Sequence, residues 1–514
     1  MPLNLLRTKT VEQSIADTDE PERRLRRALG PIDLTVIGIG VIIGTGIFVL
    51  TGKAAGTIAG PAIALSFVAA GIACALAALC YAEFASTVPV AGSAYTFSYA
   101  SLGELVAWII GWDLILELAL GAATVASGWS TYFRTVLEDT FGVNLPTWLD
   151  GTHHNLVAAG IVLILTVLLC LGIRLSTRFN AVIVAIKVAI VLLVIVAGLF
   201  YVKGSNLQPF VPPKGSMGAA GASSESTLLQ DLGLGSGAFG IGGIFSGAAL
   251  VFFAFIGFDV VATTAEESKR PQRDLPIGIF ASLGICTVLY VAVSLVVTGM
   301  VKYTQIKTAA PLSNAFRSVG QPVIAQVVSF GALAGLTTVM LILMLGQSRV
   351  FFAMSRDRLL PPVFSKVSER FGTPYRTTLV TGIAVAALTA LLSLDVLAEL
   401  VNIGTLFAFV LVSIGVIVLR RKRPDLQRAF RTPLVPLVPI LSVLASLYLM
   451  LNLPGATWLR FFGWMAVGLV VYFLYGARKS RLAAGERGGG GSAGSGGGAG
   501  EVGASAASAG AADA

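Results

Sequence analysis

Apolar segments recur about twelve times along this chain, at roughly 33–57, 62–85, 101–135, 154–173, 177–202, 242–265, 276–301, 322–354, 377–394, 397–420, 434–452 and 456–477. A helix rising ~1.5 Å per residue needs about 20 residues to cross ~30 Å of hydrocarbon. The pattern therefore predicts an all-α integral membrane protein with about twelve transmembrane helices. Of 514 residues, 55% are hydrophobic and 12% charged, which fits a polytopic protein and not a soluble domain with one anchor.

The charged residues set the expected topology. With both ends on one side, that side holds 27 of the 36 Lys and Arg residues, in the N-terminal segment, the even-numbered loops and the tail. The other side holds seven, and Lys53 and Lys187 lie within spans. The positive-inside rule then puts both termini in the cytoplasm of a plasma-membrane protein. It also accounts for the net charge of +9 without a nucleic-acid partner. The run RRKRPDLQRAFR at 420–431 reads as topogenic charge in the same way. Residues 1–30, with Arg23, Arg24, Arg26 and Arg27, show no cleavable signal pattern. From 481 to 514 the chain is nearly all Gly, Ala and Ser and is expected to be disordered. Cys74, Cys80, Cys170 and Cys286 fall in apolar segments and read as small hydrophobes. Two adjacent histidines in a loop, and no Walker, HExxH or GxSxG pattern, argue against a metal site, an enzyme or an ATP-driven pump.

Two of the spans contain their own interruption. The first carries GIGVIIGTGIF at 38–48, where Gly44-Thr45-Gly46 is the easiest place for a helix to open. Small residues at a helix–helix contact are the other reading of those glycines. The sixth carries FFAFIGFDVVATTAEE at 252–267, with Gly257 in mid-span and Asp259 just after it. An ionisable group at that depth needs a cavity or a partner. Matched interruptions five spans apart point to inverted repeats: 31–202 (spans 1–5) and 241–421 (spans 6–10), joined by an irregular extracellular loop at 203–240, with two extra helices at 422–480.

The interruptions suggest a ligand. Past Gly46 a half-helix begins, offering free N–H groups to an anion. Around Phe253 to Ile256 another ends, offering carbonyls to a cation. The α-amino-acid zwitterion has both charges a short distance apart.

With EESKRPQRDLPIGI at 266–279 and GQSRVFFAMSRDRLLPP at 346–362, these motifs resemble the amino acid–polyamine–organocation superfamily, nearest its cationic amino acid transporter branch, over roughly 30–480. The resemblance implies a LeuT-like 5+5 inverted repeat. It implies that Ile42, Phe253, Ala254 and Ile256 offer carbonyls to the substrate ammonium, and that Thr45, Gly46 and Ile47 offer N–H groups to its carboxylate, Thr45 adding its hydroxyl and Phe253 an aromatic gate.

Lys187 lies in RFNAVIVAIKVAIVLLVIVAG, about nine residues into span 5 from Arg178. At ~13–14 Å along a helix it is near the midplane, too deep for easy snorkelling. The resemblance implies a proton-coupling role: its ammonium would bridge Gly40 on span 1 and Thr337 and Thr338 on span 8, taking the place of a sodium ion and releasing and regaining a proton. Glu117 in span 3 is either a structural carboxyl or a group near the substrate or proton route, and Asp259 divides the same way. Met340 and Met344 are core or pocket residues of span 8. Glu266 and Glu267, with Lys269, Arg270 and Arg273, read as loop charge or as gate ion pairs.

Together these readings predict a secondary active permease that imports L-amino acids, cationic ones (Arg, Lys, ornithine) among the candidates, by proton symport through alternating access. No cofactor or metal is expected. An exchanger or polyamine permease is the rival within the class. A membrane amino-acid sensor without turnover is the rival outside it.

Overall fold

The structure, a computed structural model, describes residues 28–88, 93–146, 148–149, 154–172, 177–219, 226–234, 237–365 and 373–480. The arginines at 23–27 and the Gly/Ala/Ser tail lie outside the described residues. Among those described there is no β-strand, and eight helical stretches are long and apolar enough to cross a membrane, with four shorter apolar helices beside them.

The chain enters α1 at Pro31–Ile42, where a proline in the first turn and the Asp33 carboxylate, accepting from the Gly30 N–H at 2.9 Å, start the helix. A helix α2 (46–59) follows the first interruption, built of π turns at Gly46–Leu50 and Ala55–Ala59 around Thr51–Ala54. It leads through a 3₁₀ turn directly into α3 (Ile63–Thr87). Then come α4 (Ser93–Ser101), the long α5 (Glu104–Phe141), α6 (Leu156–Cys170) and α7 (Thr177–Leu199). The second interrupted element is α8 (Gly240–Val251), a 3₁₀ turn Phe252–Phe255, and α9 (Phe258–Thr263). After it run α10 (Pro271–Met300), α11 (Pro311–Ser318), α12 (Pro322–Arg356), α13 (Tyr375–Leu391), α14 (Leu394–Lys422), α15 (Leu437–Leu451) and α16 (Gly455–Val471).

Two helices depart from the hydropathy reading. α4 and α11 fall between apolar spans, because SAYTFSYAS and PLSNAFRS are too polar and too short to register as spans. The 203–240 connection is not wholly irregular in its described part. It holds helical turns at Gly204–Leu207 and Leu228–Asp231 and docks on α2 through Ala219 N–H to Gly56 C=O and Phe239 N–H to Ile58 C=O.

α1 packs against α10, α7, α9 and α12, so the first interrupted helix is enclosed by others. The packing reading of its glycines holds for two of them: a Cβ at Gly38 would strike Ser282 of α10, and one at Gly40 would strike Val184 of α7. The π turn 46–50 meets the 3₁₀ turn 252–255, which brings the two interruptions together.

The basic run 420–431 is more than topogenic charge. Arg420 donates to both oxygens of the buried Glu83 on α3, at 2.9 and 2.7 Å, Arg428 lies 3.3 Å from the same carboxylate, and the Thr432 N–H donates to it at 2.8 Å. The carboxylate fastens α3 to the end of α14 and to the chain after it. Glu83→Gln should lower the melting temperature of the detergent-purified protein, corresponding to about 2–3 kcal/mol, somewhat under the ~3–5 kcal/mol for breaking a fully buried pair, because Arg420 is partly exposed. An unchanged melting temperature would show that the cluster holds nothing together.

Candidate functional site

The first interruption begins at Ile43, whose backbone is extended (φ −72°, ψ 93°) although its N–H still closes the last turn of α1 on the Ile39 carbonyl. The next bond, Phe48 N–H to Gly44 C=O, opens α2. The second interruption sits at Ile256, again extended, and Gly257 at φ 123°, a value that an L side chain rarely adopts. The interruptions touch backbone to backbone: a Cβ on Gly46 would lie 2.3 Å from the Cα of Ala254.

The freed carbonyls find side-chain donors. Lys187, fully buried, donates to Gly40 C=O at 2.7 Å. The Tyr290 hydroxyl on α10 lies 2.6 Å from the Ile42 carbonyl and 2.9 Å from the Ala254 carbonyl. The Asn402 amide on α14 donates to Ala249 and Leu250, and the Tyr132 hydroxyl on α5 to Phe48. On α9 the Asp259 carboxylate accepts from Gly257 N–H at 3.1 Å, which makes it a helix cap away from the pocket. The N–H groups of Gly44, Thr45, Gly46 and Ile47 contrast with these. None donates to an acceptor among the described residues, and the buried Thr45 hydroxyl has no partner either.

A small cavity opens where these groups converge. Val41, Ile42, Gly44, Thr45 and Gly46 line it from the first interruption, Phe253 and Ile256 from the second, Gly121 and Val125 from α5, and Val339 and Leu343 from α12. Of the expected substrate residues, Ile42, Thr45, Gly46, Phe253 and Ile256 are in the lining. Ile47 and Ala254 stand behind it, and the Ala254 carbonyl is held by Tyr290.

Other expected residues fall elsewhere. Met340 and Met344 are buried but face away from the cavity, which takes the residues one position earlier on α12. The Thr337 hydroxyl accepts from Trp129 and donates to Leu333, and that of Thr338 donates to Gly335, so the bridge from Lys187 to these threonines is not formed. α12 meets Lys187 through Gly335 instead, where a Cβ would come within 3.1 Å of the lysine stem. Glu117, one turn before Gly121, is buried outside the lining, and its oxygens, like those of Asp113, find no donor in good geometry among the described residues.

Ion pairs stand on either side. Past Val49 on α2, Lys53 pairs with Asp395 beside a wider cavity whose lining includes Ser127, Thr131, His154, Asn155 and Ser393. At the other end Arg349 of α12 lies 3.4 Å from Glu267.

The sequence model described as amino acid permease matches residues 29–473. The chain belongs to the amino acid permease family. This permease is 49% identical over 489 residues to the branched-chain amino acid permease BcaP of Bacillus subtilis (strain 168), an alignment covering 93% of this chain and 99% of that one. It is 47% identical over 486 residues to the methylthioribose transporter of the same organism, with the same coverage. The vacuolar cationic amino acid transporter 4 of Arabidopsis thaliana is more distant, at 38% over 431 residues, 82% of this permease and 68% of that protein. The family is one of membrane transporters and not of enzymes.

The two glycines of the first interruption should behave differently. Gly46→Ala drives a methyl into the Ala254 backbone and should abolish uptake of every substrate. Gly44→Ala meets Val339 at 3.5 Å and the Val41 carbonyl at 3.7 Å, both ordinary contacts, and should leave a folded permease with its preference shifted toward smaller side chains. Uptake by both variants, normalised to folded protein on size exclusion, is the measurement. Wild-type transport by Gly46→Ala would break the assignment.

Proposed function

We propose that this permease imports L-amino acids with aliphatic side chains across the plasma membrane, by proton symport and alternating access. The cavity lining carries the reading. Four unpartnered N–H groups and the Thr45 hydroxyl at the head of α2 suit a carboxylate. The carbonyl of Ile42, a lining residue, suits an ammonium. The side chains facing the remainder are Val41, Val125, Phe253, Ile256, Val339 and Leu343, with no charged residue among them. Burying an aliphatic side chain there stabilises the complex by roughly 1.5–3 kcal/mol, whereas an unpaired cationic one would carry a large desolvation cost. Glu117, which a cationic substrate would need, is outside the lining. The named substrate of BcaP agrees with this specificity. A methylthioribose has neither an ammonium nor a carboxylate and would leave both backbone sites unused.

For the scaffold we adopt the twelve-helix 5+5 repeat with both termini cytoplasmic. α1 and α8–α9 would be its paired broken helices, and α1 to α3 and α8 to α10 the moving group. Lys53–Asp395 would then close the extracellular side and Arg349–Glu267 the cytoplasmic side. Lys187 would couple the proton. Its bond to the Gly40 carbonyl ties α7 to the end of α1, and loss of the proton would release that tie and shift which side is open.

Two measurements in proteoliposomes test the reading. In competition, leucine, isoleucine and valine should displace labelled leucine, while arginine, leucinamide, isoamylamine and methylthioribose compete at least ~10-fold more weakly, as expected for ~1–3 kcal/mol per unpaired buried group. Arginine competing as well as leucine would overturn the specificity. Uptake should rise as external pH falls and should not need sodium. Lys187→Ala should keep leucine binding and lose accumulation driven by a pH gradient. Gradient-driven accumulation by that variant would remove Lys187 from the coupling.

A further inference from the structure

Two carbonyl groups from separate helices, Ile42 at the end of α1 and Ala254 before the second interruption, converge on one hydroxyl. Tyr290 Oη lies 2.6 Å from the first and 2.9 Å from the second. Both are carbonyl ends of helical turns and carry partial negative charge, so they repel when brought together in a medium without water. Tyr290 has one hydrogen to share between them. Each carbonyl oxygen has two lone pairs, so each keeps capacity for a further donor.

The ring that carries this hydroxyl is fixed. Tyr290 is fully buried, with Phe67 and Phe255 each at a centroid distance of 5.4 Å. Phe67 is on α3 and Phe255 belongs to the second interruption, so the ring is held between a continuous helix and the second broken one. Tyr290 does not line the cavity, whereas Ile42 and Phe253 do.

We propose that Tyr290 is a positioning residue for the substrate ammonium. Its shared hydrogen bond ties the Ile42 carbonyl, on a residue that lines the cavity, to the Ala254 carbonyl behind the lining, so that an ammonium entering the cavity meets the Ile42 acceptor in a fixed position. The proposal rests on the amino-acid reading given above. It adds a residue outside the cavity that decides how well the ammonium is recognised. Tyr290→Phe would fill the same space between Phe67 and Phe255 and remove only the tie, so the carbonyls would separate and the acceptor offered to the ammonium would no longer be held in place.

The test compares leucine with N-methylleucine, which has one N–H fewer, in wild type and Tyr290→Phe. Proteoliposome uptake gives KM and maximal rate, and ligand-induced melting shifts of the purified protein give binding without transport. A melting transition in the absence of ligand establishes that the variant is folded. In wild type, leucine should be preferred by at least ~10-fold, since a charged donor is lost. In Tyr290→Phe the KM for leucine should rise about tenfold or more while the KM for N-methylleucine changes much less, so that the preference collapses toward unity. A purely structural role would lower the maximal rate and leave both KM values and their ratio as in wild type, and that result overturns the proposal. Wild type that neither transports nor binds leucine would overturn the amino-acid reading itself, and this proposal with it. The two failures are read from different proteins in the same experiment.

Discussion

A helix broken inside hydrocarbon exposes backbone groups that no water can satisfy, so the surrounding helices must supply partners. This permease divides the exposed groups unequally. The carbonyls are met by donors from helices that are distant in sequence: Lys187 on α7, Tyr290 on α10, Asn402 on α14 and Tyr132 on α5. The N–H groups from Gly44 to Ile47 are left for something else. Three of these residues, Gly44, Thr45 and Gly46, border the cavity, the arrangement that the proposed function reads as a site for an anionic group. The rest of the architecture keeps them there, since α1 is enclosed by α7, α9, α10 and α12 and the π turn 46–50 rests on the Phe252–Phe255 turn.

The same division bears on which substrates fit. Under the proposed function, charge recognition falls to the backbone, which leaves the side chains around the cavity free to be apolar. Val125, Val339 and Leu343 set its outer wall, and each comes from a helix that is not interrupted. Changing these residues would alter side-chain preference without disturbing the groups that hold the amino-acid backbone. Relatives with differently named substrates are compatible with such a scaffold.

Much of this is legible in the chain. A glycine cluster at 38–46 marks the first interruption and Gly257 the second, and a lysine nine residues into a span is too deep to snorkel easily. The span boundaries follow from hydropathy to within a few residues for most helices. What is not legible depends on which face of a helix points where. Met340 and Met344 are plausible pocket residues by composition, yet a rotation of one position gives the wall to Val339 and Leu343. Tyr290, Asn402 and Tyr132 look like ordinary core residues until the carbonyls that they serve are located. Glu83 reads as one more residue near a helix end, and only the folded chain brings Arg420, Arg428 and Thr432 to it. The sequence signals report burial and breakage well because these depend on local composition. Partnership across hundreds of residues depends on packing.

The most direct test of the central claim is an experimental structure of the permease with leucine bound. The expected result places the leucine carboxylate against the N–H groups of Gly44, Thr45 and Gly46, its ammonium against the Ile42 carbonyl, and its side chain against Val125, Val339 and Leu343. Leucine bound elsewhere, with the N–H groups at the first interruption turned to protein acceptors, would contradict it.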